Sequence, residues 1–406
     1  MSNTLLAPRG LSGVIVADTA IGDVLGTEGR YHYRGHDAIE LARSGTFEDA
    51  WHLLVLGSRA DADAAAAFRA RVAALRELPE QVRAFVADAA RDASVTAGPA
   101  ITGMRPASSV TAGPAHGLDA LRGLQATLPV LAAARGARPL YDLGEHDRVE
   151  EALAVAAAAP GILAAFHLAS RGVDPTPALA VPTPLPERGT VANYLALVTG
   201  REPDARTEHA LTAYLVATLD HGFNASTFTA RVIASTGADM ASCIVGGLGA
   251  LSGPLHGGAP SRALDALDAV GAASGTSSAA SIESFIGGEL AAGRRLMGFG
   301  HAVYRTADPR SRLLKEVALG FGGPRVELAV EYEEIAERML AEHKPGRDLH
   351  TNVEFYAAVV LEQCGIPREL FTPTFALART VGWTAHVLEQ ARDPKIIRPS
   401  SRYVPA

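Results

Sequence analysis

The chain has 406 residues, 48% of them hydrophobic and 20% charged, and a formal net charge of −7. That length suits two or three structural units of roughly 100–200 residues each, with composition enough for a large core. No broad basic field is present, so nucleic acid and anionic membrane surfaces are not expected partners, and an anionic ligand would need a local cluster of arginines.

In chain order, Gly13 to Asp18 and Gly29 to Arg34 read as strands and predict a small N-terminal hairpin or ribbon. Apolar residues at i, i+3 and i+4 then predict one or two helices over 61–93, followed by helices over 117–135, 149–172, 189–199 and 206–220. Farther on the same pattern marks 227–235, 238–250, 260–272, 279–292, 309–319, 325–342, 353–363 and 373–391. The proline-rich stretch 173–188 reads as a loop. Ser-Val-Thr-Ala-Gly-Pro-Ala occurs twice, at 94–100 and 109–115. Two copies do not make a solenoid, and a local insertion is expected.

The longest apolar run, Ala152 to Ala169, contains Pro160 and His167 and reads as a buried helix, not a membrane span. Cys243 and Cys364 are the only cysteines, too few for a disulfide framework or a zinc cluster, so a reducing cytoplasm is the simplest setting. The N-terminus has no basic segment followed by an apolar run, and no signal peptide is expected.

Chemistry concentrates in the second half. His221 and Asn224 sit in Asp-His-Gly-Phe-Asn-Ala-Ser-Thr, between two helical patterns; alone, this reads as a capping turn. His256 lies in Gly-Pro-Leu-His-Gly-Gly just before a helix, where the positive end of the macrodipole disfavours imidazolium. The flanking glycines favour a ligand-facing histidine over a buried turn histidine. His301 follows Gly298-Phe299-Gly300, with Arg305 and Arg310 close behind to bind an anion. Glu354 opens an apolar helix after Asn352, where a dipole partner is the ordinary reading. Arg379 interrupts an apolar run, so it is expected to meet a ligand carboxylate or an internal acid. Arg398, near the C-terminus, is by default an exposed tail charge.

Taken together these segments resemble the citrate synthase family, in its short bacterial form and with the closely related 2-methylcitrate synthases. The similarity runs in order through Gly10-Leu-Ser-Gly-Val14, Tyr33-Arg34-Gly35, Asn224 to Thr236, Gly253 to Ala259, Gly298 to Arg310, Asn352 to Tyr356, Ala376 to Trp383 and Ile397-Arg398-Pro399. The resemblance implies an all-α homodimer, with a large domain (1–255 and 361–406) and a small one (256–360) closing over the substrates. It implies the condensation of acetyl-CoA with oxaloacetate to citrate and CoA, with no permanently bound cofactor and no metal. By position, His256 matches the histidine that hydrogen-bonds the thioester carbonyl, and His301 the one that polarises the ketone. Glu354 falls where the family has its base. His221, Arg310 and Arg379 match residues holding the oxaloacetate carboxylates, and Arg398 the arginine supplied by the other subunit. Arg305, Asn352, Gly298 and Gly300 fall at positions tied to coenzyme A or to placement of the catalytic loop.

Two departures stand out. Familiar members carry aspartate where this chain has Glu354, and proline where it has Thr351; an extra methylene moves a carboxylate by roughly 1.5 Å. The competing expectations are a 2-methylcitrate synthase using propionyl-CoA, which one methyl in the acyl pocket separates by only about 1–3 kcal/mol, and a weakly active regulatory paralogue that binds CoA or oxaloacetate.

Overall fold

The computed structural model describes residues 6–95, 118–180, 185, 188–254, 256, 259–274, 278–301 and 303–404. The repeated heptapeptide lies outside the described residues except for Ser94 and Val95.

The N-terminal sheet is an antiparallel meander of β1 (Gly22–Leu25), β2 (Arg30–Tyr33) and β3 (His36–Asp37), in register Gly22↔Tyr33 and Tyr33↔His36. The expected strand over Gly29 to Arg34 is therefore present as β2. The one over Gly13 to Asp18 is not: its Val14, Ile15 and Val16 are exposed, and the edge of β2 is taken by 22–25, the nearer run across a tight turn. Arg34 and Gly35 both adopt positive φ, 50° and 81°, between β2 and β3, and the Arg34 guanidinium anchors that turn on the Leu54 carbonyl at 2.9 Å.

Sixteen α-helices follow among the described residues. The first four are α1 (Ala38–Ser44), α2 (Phe47–Leu56), α3 (Ala62–Leu75) and α4 (Glu80–Val95). Apolar periodicity does not register α1, which has seven residues, or α2, which ends in an unbroken apolar run. Their caps hold them: Asp37 accepts from the Ile39 and Glu40 amides, and Thr46 and Asp49 form a capping box. The 61–93 segment is two helices, broken before Glu80 by Leu78-Pro79.

Then come α5 (Ala120–Arg135), α6 (Glu145–Ser170), α7 (Thr190–Thr199), α8 (Ala205–Ala217), α9 (Ala225–Ala234) and α10 (Met240–Leu251). The run predicted as buried helix is α6. It is apolar and long enough to cross a bilayer, but 89% of its most apolar window is buried, and α4, α5, α7 and the C-terminal helix pack around it as a core. The last group is α11 (Ala259–Ser274), α12 (Ala279–Ala291), α13 (Pro309–Phe321), α14 (Pro324–His343), α15 (Val353–Gln363) and α16 (Phe371–Gln390). Here α11 to α15 pack on one another, while α8 and α16 meet them from the α6 side. The fold is all-α apart from the meander, as expected, and the chemistry-bearing segments converge where these groups touch.

Candidate active site

One wall is built where α8 ends. Thr218 to Asn224 turn the chain into α9, and Asn224 caps that helix through the Thr227 amide. Gly382 of α16 permits the approach, since a Cβ there would lie 2.0 Å from the Leu219 carbonyl oxygen. One turn before it, the buried Arg379 donates its Nε–H to the Thr218 carbonyl at 3.1 Å and lies over the Phe375 ring. No carboxylate forms an ion pair with Arg379 among the described residues, so its remaining N–H groups are available to an anion. The Asp220 carboxylate, also buried, accepts from His386 Nε2 at 3.0 Å and from the Gly222 amide at 3.1 Å. Arg231 can only donate, so its 3.1 Å contact makes His386 Nδ1 an acceptor and leaves the ring proton on Nε2, facing Asp220. Burial pushes the Asp220 pKa up, but His386, Arg379 and the Gly222 amide outweigh it and hold it below its ordinary value.

The facing wall is a loop clamped by backbone. Gly298 and Gly300 sit at φ of 85° and 84°. The Gly298 carbonyl accepts from the Asn352 amide at 2.8 Å, the Gly300 amide donates to the His350 carbonyl at 2.8 Å, and Asn352 Nδ2 donates to the Gly300 carbonyl at 2.9 Å. A side chain at Gly298 would come within 2.9 Å of Phe355 Cβ. Both glycines, and Asn352, thus fix the position of His301 relative to the start of α15.

His301 Nδ1 accepts from the Val303 and Tyr304 amides at 2.9 and 3.0 Å. Its ring proton therefore sits on Nε2. Burial and the nearby Arg310 push its pKa down to about 4, with Asp308 opposing, so the ring is neutral at pH 7. Arg310 Nη2 lies 3.2 Å from that same Nε2. Neither group can accept from the other. Two donors converge on one place, which is the arrangement an oxygen ligand completes.

Asp308 holds Arg310 in this pose. It accepts from Arg310 Nε at 3.0 Å and Nη2 at 2.8 Å, caps α13 through the Arg310 amide, and accepts from the Val353 amide at 3.1 Å. Val353 precedes Glu354, whose own amide donates to the capping Asn352 side chain at 3.0 Å. Burial pushes the Glu354 pKa up to about 7 against the pull of Arg310 and Arg379, with Asp308 adding to the rise. A carboxyl poised near neutrality among fixed cations is the usual condition of a general base.

His221 donates to or accepts from the Tyr304 hydroxyl at 3.0 Å, and its ring meets that of His301 edge-on at 5.5 Å. Burial, then Arg310, His301 and Arg379, hold its pKa well below the ordinary value, so it too is neutral. His256 is held differently. Ser226 Oγ, buried, lies 2.8 Å from His256 Nε2, 2.7 Å from Asn224 Oδ1 and 3.2 Å from Trp383 Nε1. Trp383 donates to Ser226, and Asn224 Oδ1 can only accept, so the Ser226 proton is directed at Asn224. Ser226 therefore accepts from His256 Nε2–H in this structure, and a turn of the hydroxyl from Asn224 to His256 would be needed to place the imidazole proton on Nδ1. Burial and Arg379 keep His256 below its ordinary pKa.

Of the sequence-predicted residues, His221, His256, His301, Arg310, Glu354 and Arg379 share one electrostatic environment. Arg305 is exposed and lines, with His301 and Arg347, a cavity of about 250 Å³ beside this cluster. Arg398 is exposed on the C-terminal segment and makes no ion pair with the cluster among the described residues. Sequence reasoning missed Asp308, Asp220, Ser226, Tyr304 and His386. The Asp-Pro pair at 308–309 was a legible helix-start signal; the others are local only in space.

The class defined here is an all-α enzyme whose neutral histidines, buried arginines and one carboxyl of raised pKa share one place. The chain belongs to the citrate synthase family: residues 10–400 match the family model described as citrate synthase, C-terminal domain. A relative from Mycobacterium tuberculosis, named "Putative citrate synthase 2", is 38% identical over 398 residues, covering 97% of this chain and 92% of the relative. A 2-methylcitrate synthase of Shewanella oneidensis is 31% identical, covering 98% and 95%. Among solved structures, citrate synthase from Thermotoga maritima matches with a TM-score of 0.78 and 32% identity over 98% of this chain and 96% of that one.

Proposed function

We propose that this protein is a citrate synthase, condensing acetyl-CoA with oxaloacetate to citrate and CoA. The observation that carries this reading is the convergence of His301 Nε2–H and Arg310 Nη2, 3.2 Å apart, on a single oxygen position. The ketone oxygen of oxaloacetate fits there, its carboxylates held by Arg310, Arg379 and His221. Arginine forks suit planar carboxylates, and Arg379 has N–H groups available for one.

Glu354 then removes a proton from the thioester methyl carbon, while His256 Nδ1–H donates to the thioester carbonyl and stabilises the enol oxygen. Such positioned groups each contribute about 10²–10⁴-fold. The new carbon–carbon bond forms as the ketone oxygen gains negative charge and a proton. Water then cleaves the citryl thioester, releasing CoA as its thiol. The Ser226 hydroxyl supports this by turning toward His256 Nε2, which frees the Nδ1 proton for donation. CoA is expected along the cavity flanked by Arg305 and Arg347, with residues 256–360 closing as a small domain to exclude water. The protein is expected to act as a homodimer in which Arg398 of one subunit reaches the neighbouring site. This accounts for a tail arginine that lies apart from its own cluster.

The test is release of free thiol from acetyl-CoA and from propionyl-CoA, each with oxaloacetate. Faster turnover of acetyl-CoA is the expected result. Preference for propionyl-CoA would reassign the protein as a 2-methylcitrate synthase, the activity named for the Shewanella relative. No release with either would overturn the condensation reading.

A further inference from the structure

A buried polar chain outside the site ties its three catalytic segments together. Thr351, 5% exposed, donates its hydroxyl to Glu333 Oε1 at 2.7 Å and accepts from Ser311 Oγ at 2.9 Å. The other carboxylate oxygen, Glu333 Oε2, accepts from Lys315 Nζ and from the Tyr356 hydroxyl, both at 2.6 Å. Ser311 and Lys315 lie on α13, Glu333 on α14 and Tyr356 on α15. Ser311 immediately follows Arg310, Thr351 lies three residues before Glu354, and Thr351 pairs through backbone with Phe299, two residues before His301. The hydroxyl of Thr351 therefore sits where the segments carrying the ketone donors and the base meet. Both its proton and a lone pair are used, so its orientation is fixed from two sides.

We propose that Thr351, held by Glu333 and Ser311, is a positioning residue that sets the Glu354 carboxylate at working distance from the His301–Arg310 donor pair. This rests on the reading of Glu354 as the base. The geometry gives a reason for a polar residue here. The backbone bonds of 298–300 to 350–352 fix the loop along the chain direction, and Asp308 fixes the Val353 amide. The backbone bonds engage the peptide groups on both sides of Thr351, but only from residues 298–300. The Thr351 hydroxyl, locked to α13 and α14, adds a side-chain anchor to the helices that carry Arg310 and Glu333. A longer base side chain such as glutamate adds a rotatable bond, which increases the need for a fixed root.

The experiment compares steady-state kinetics and melting of Thr351→Val, Thr351→Ser and wild type. Valine keeps the shape and loses both hydrogen bonds. The expected result is a kcat lower by about 10- to 100-fold, the scale of an ångström's misplacement, with KM for oxaloacetate little changed and kcat largely restored by serine. An unchanged kcat in a folded Thr351→Val protein, or equal losses in kcat with valine and serine, would overturn the proposal. Should Thr351→Val not fold, Ser311→Ala removes only the donor to Thr351 and is read the same way, with a smaller fall in kcat expected and none contradicting. Inactive wild type would instead sink the condensation reading itself.

Discussion

The two histidines nearest the proposed reacting carbonyls are held by opposite means. His301 is pinned: two backbone amides fill Nδ1, Asp308 and the glycine-rich loop fix its surroundings, and its proton has only one place to be. His256 is adjustable, because its partner is a rotatable hydroxyl: Ser226 donates to Asn224 in this structure and would give its proton to His256 Nε2 only on turning. The difference fits the demands on each. A group that polarises a ketone works best as a fixed donor, while a group that must tolerate enol formation and then thioester hydrolysis gains from a partner able to follow its proton.

That contrast can be broken at several points. The largest effect is expected at the carboxylate facing the pinned side: Glu354→Gln should lower kcat by about 10²–10⁴-fold in thiol-release assays. The same change should alter stability with a definite sign. Burial raises the Glu354 pKa from 4.5 to about 7, so between those pH values the folded state holds more protons than the unfolded one and stability falls as pH rises. Glu354→Gln removes that loss, and should melt higher than wild type at pH 8 but not at pH 4.

Next comes the support of the pinned side. Asp308→Asn leaves Arg310 buried without its carboxylate, and loss of about 3–5 kcal/mol in denaturant unfolding is expected, with oxaloacetate KM raised as the donor pair loses its aim. The smallest effect belongs to the adjustable side. Ser226→Ala removes the hydroxyl's bonds to Asn224, Trp383 and His256; the last, a neutral bond of ~1 kcal/mol, bears on catalysis, and kcat should fall by about fivefold to tenfold. A loss at Ser226 as deep as that at Glu354 would erase the proposed distinction.

Much of the site was legible in sequence because glycines and helix caps announce themselves locally. His256, His301 and Glu354 stood among such residues, and the family resemblance ordered them. The rest was not local. Asp220, Ser226 and His386 acquire their meaning only when α8, α9 and α16 meet, a contact that depends on Gly382 having no side chain. Thr351 stands where familiar members carry proline, and only the structure shows it buried and tightly held between Ser311 and Glu333. Helix α1 escaped periodicity because seven residues give few turns to count, and α2 because it ends in the unbroken apolar run Leu53-Leu54-Val55-Leu56; the first expected strand lost its place to a nearer competitor for β2.

The most direct test of Glu354 as the base, held near neutrality by burial beside fixed cations, is the pH dependence of kcat/KM for acetyl-CoA from pH 5 to 9. The expected profile loses activity about tenfold per unit below a midpoint near pH 7, where Glu354 takes up its proton. A profile flat down to pH 5, or one unchanged in Glu354→Asp, would contradict it.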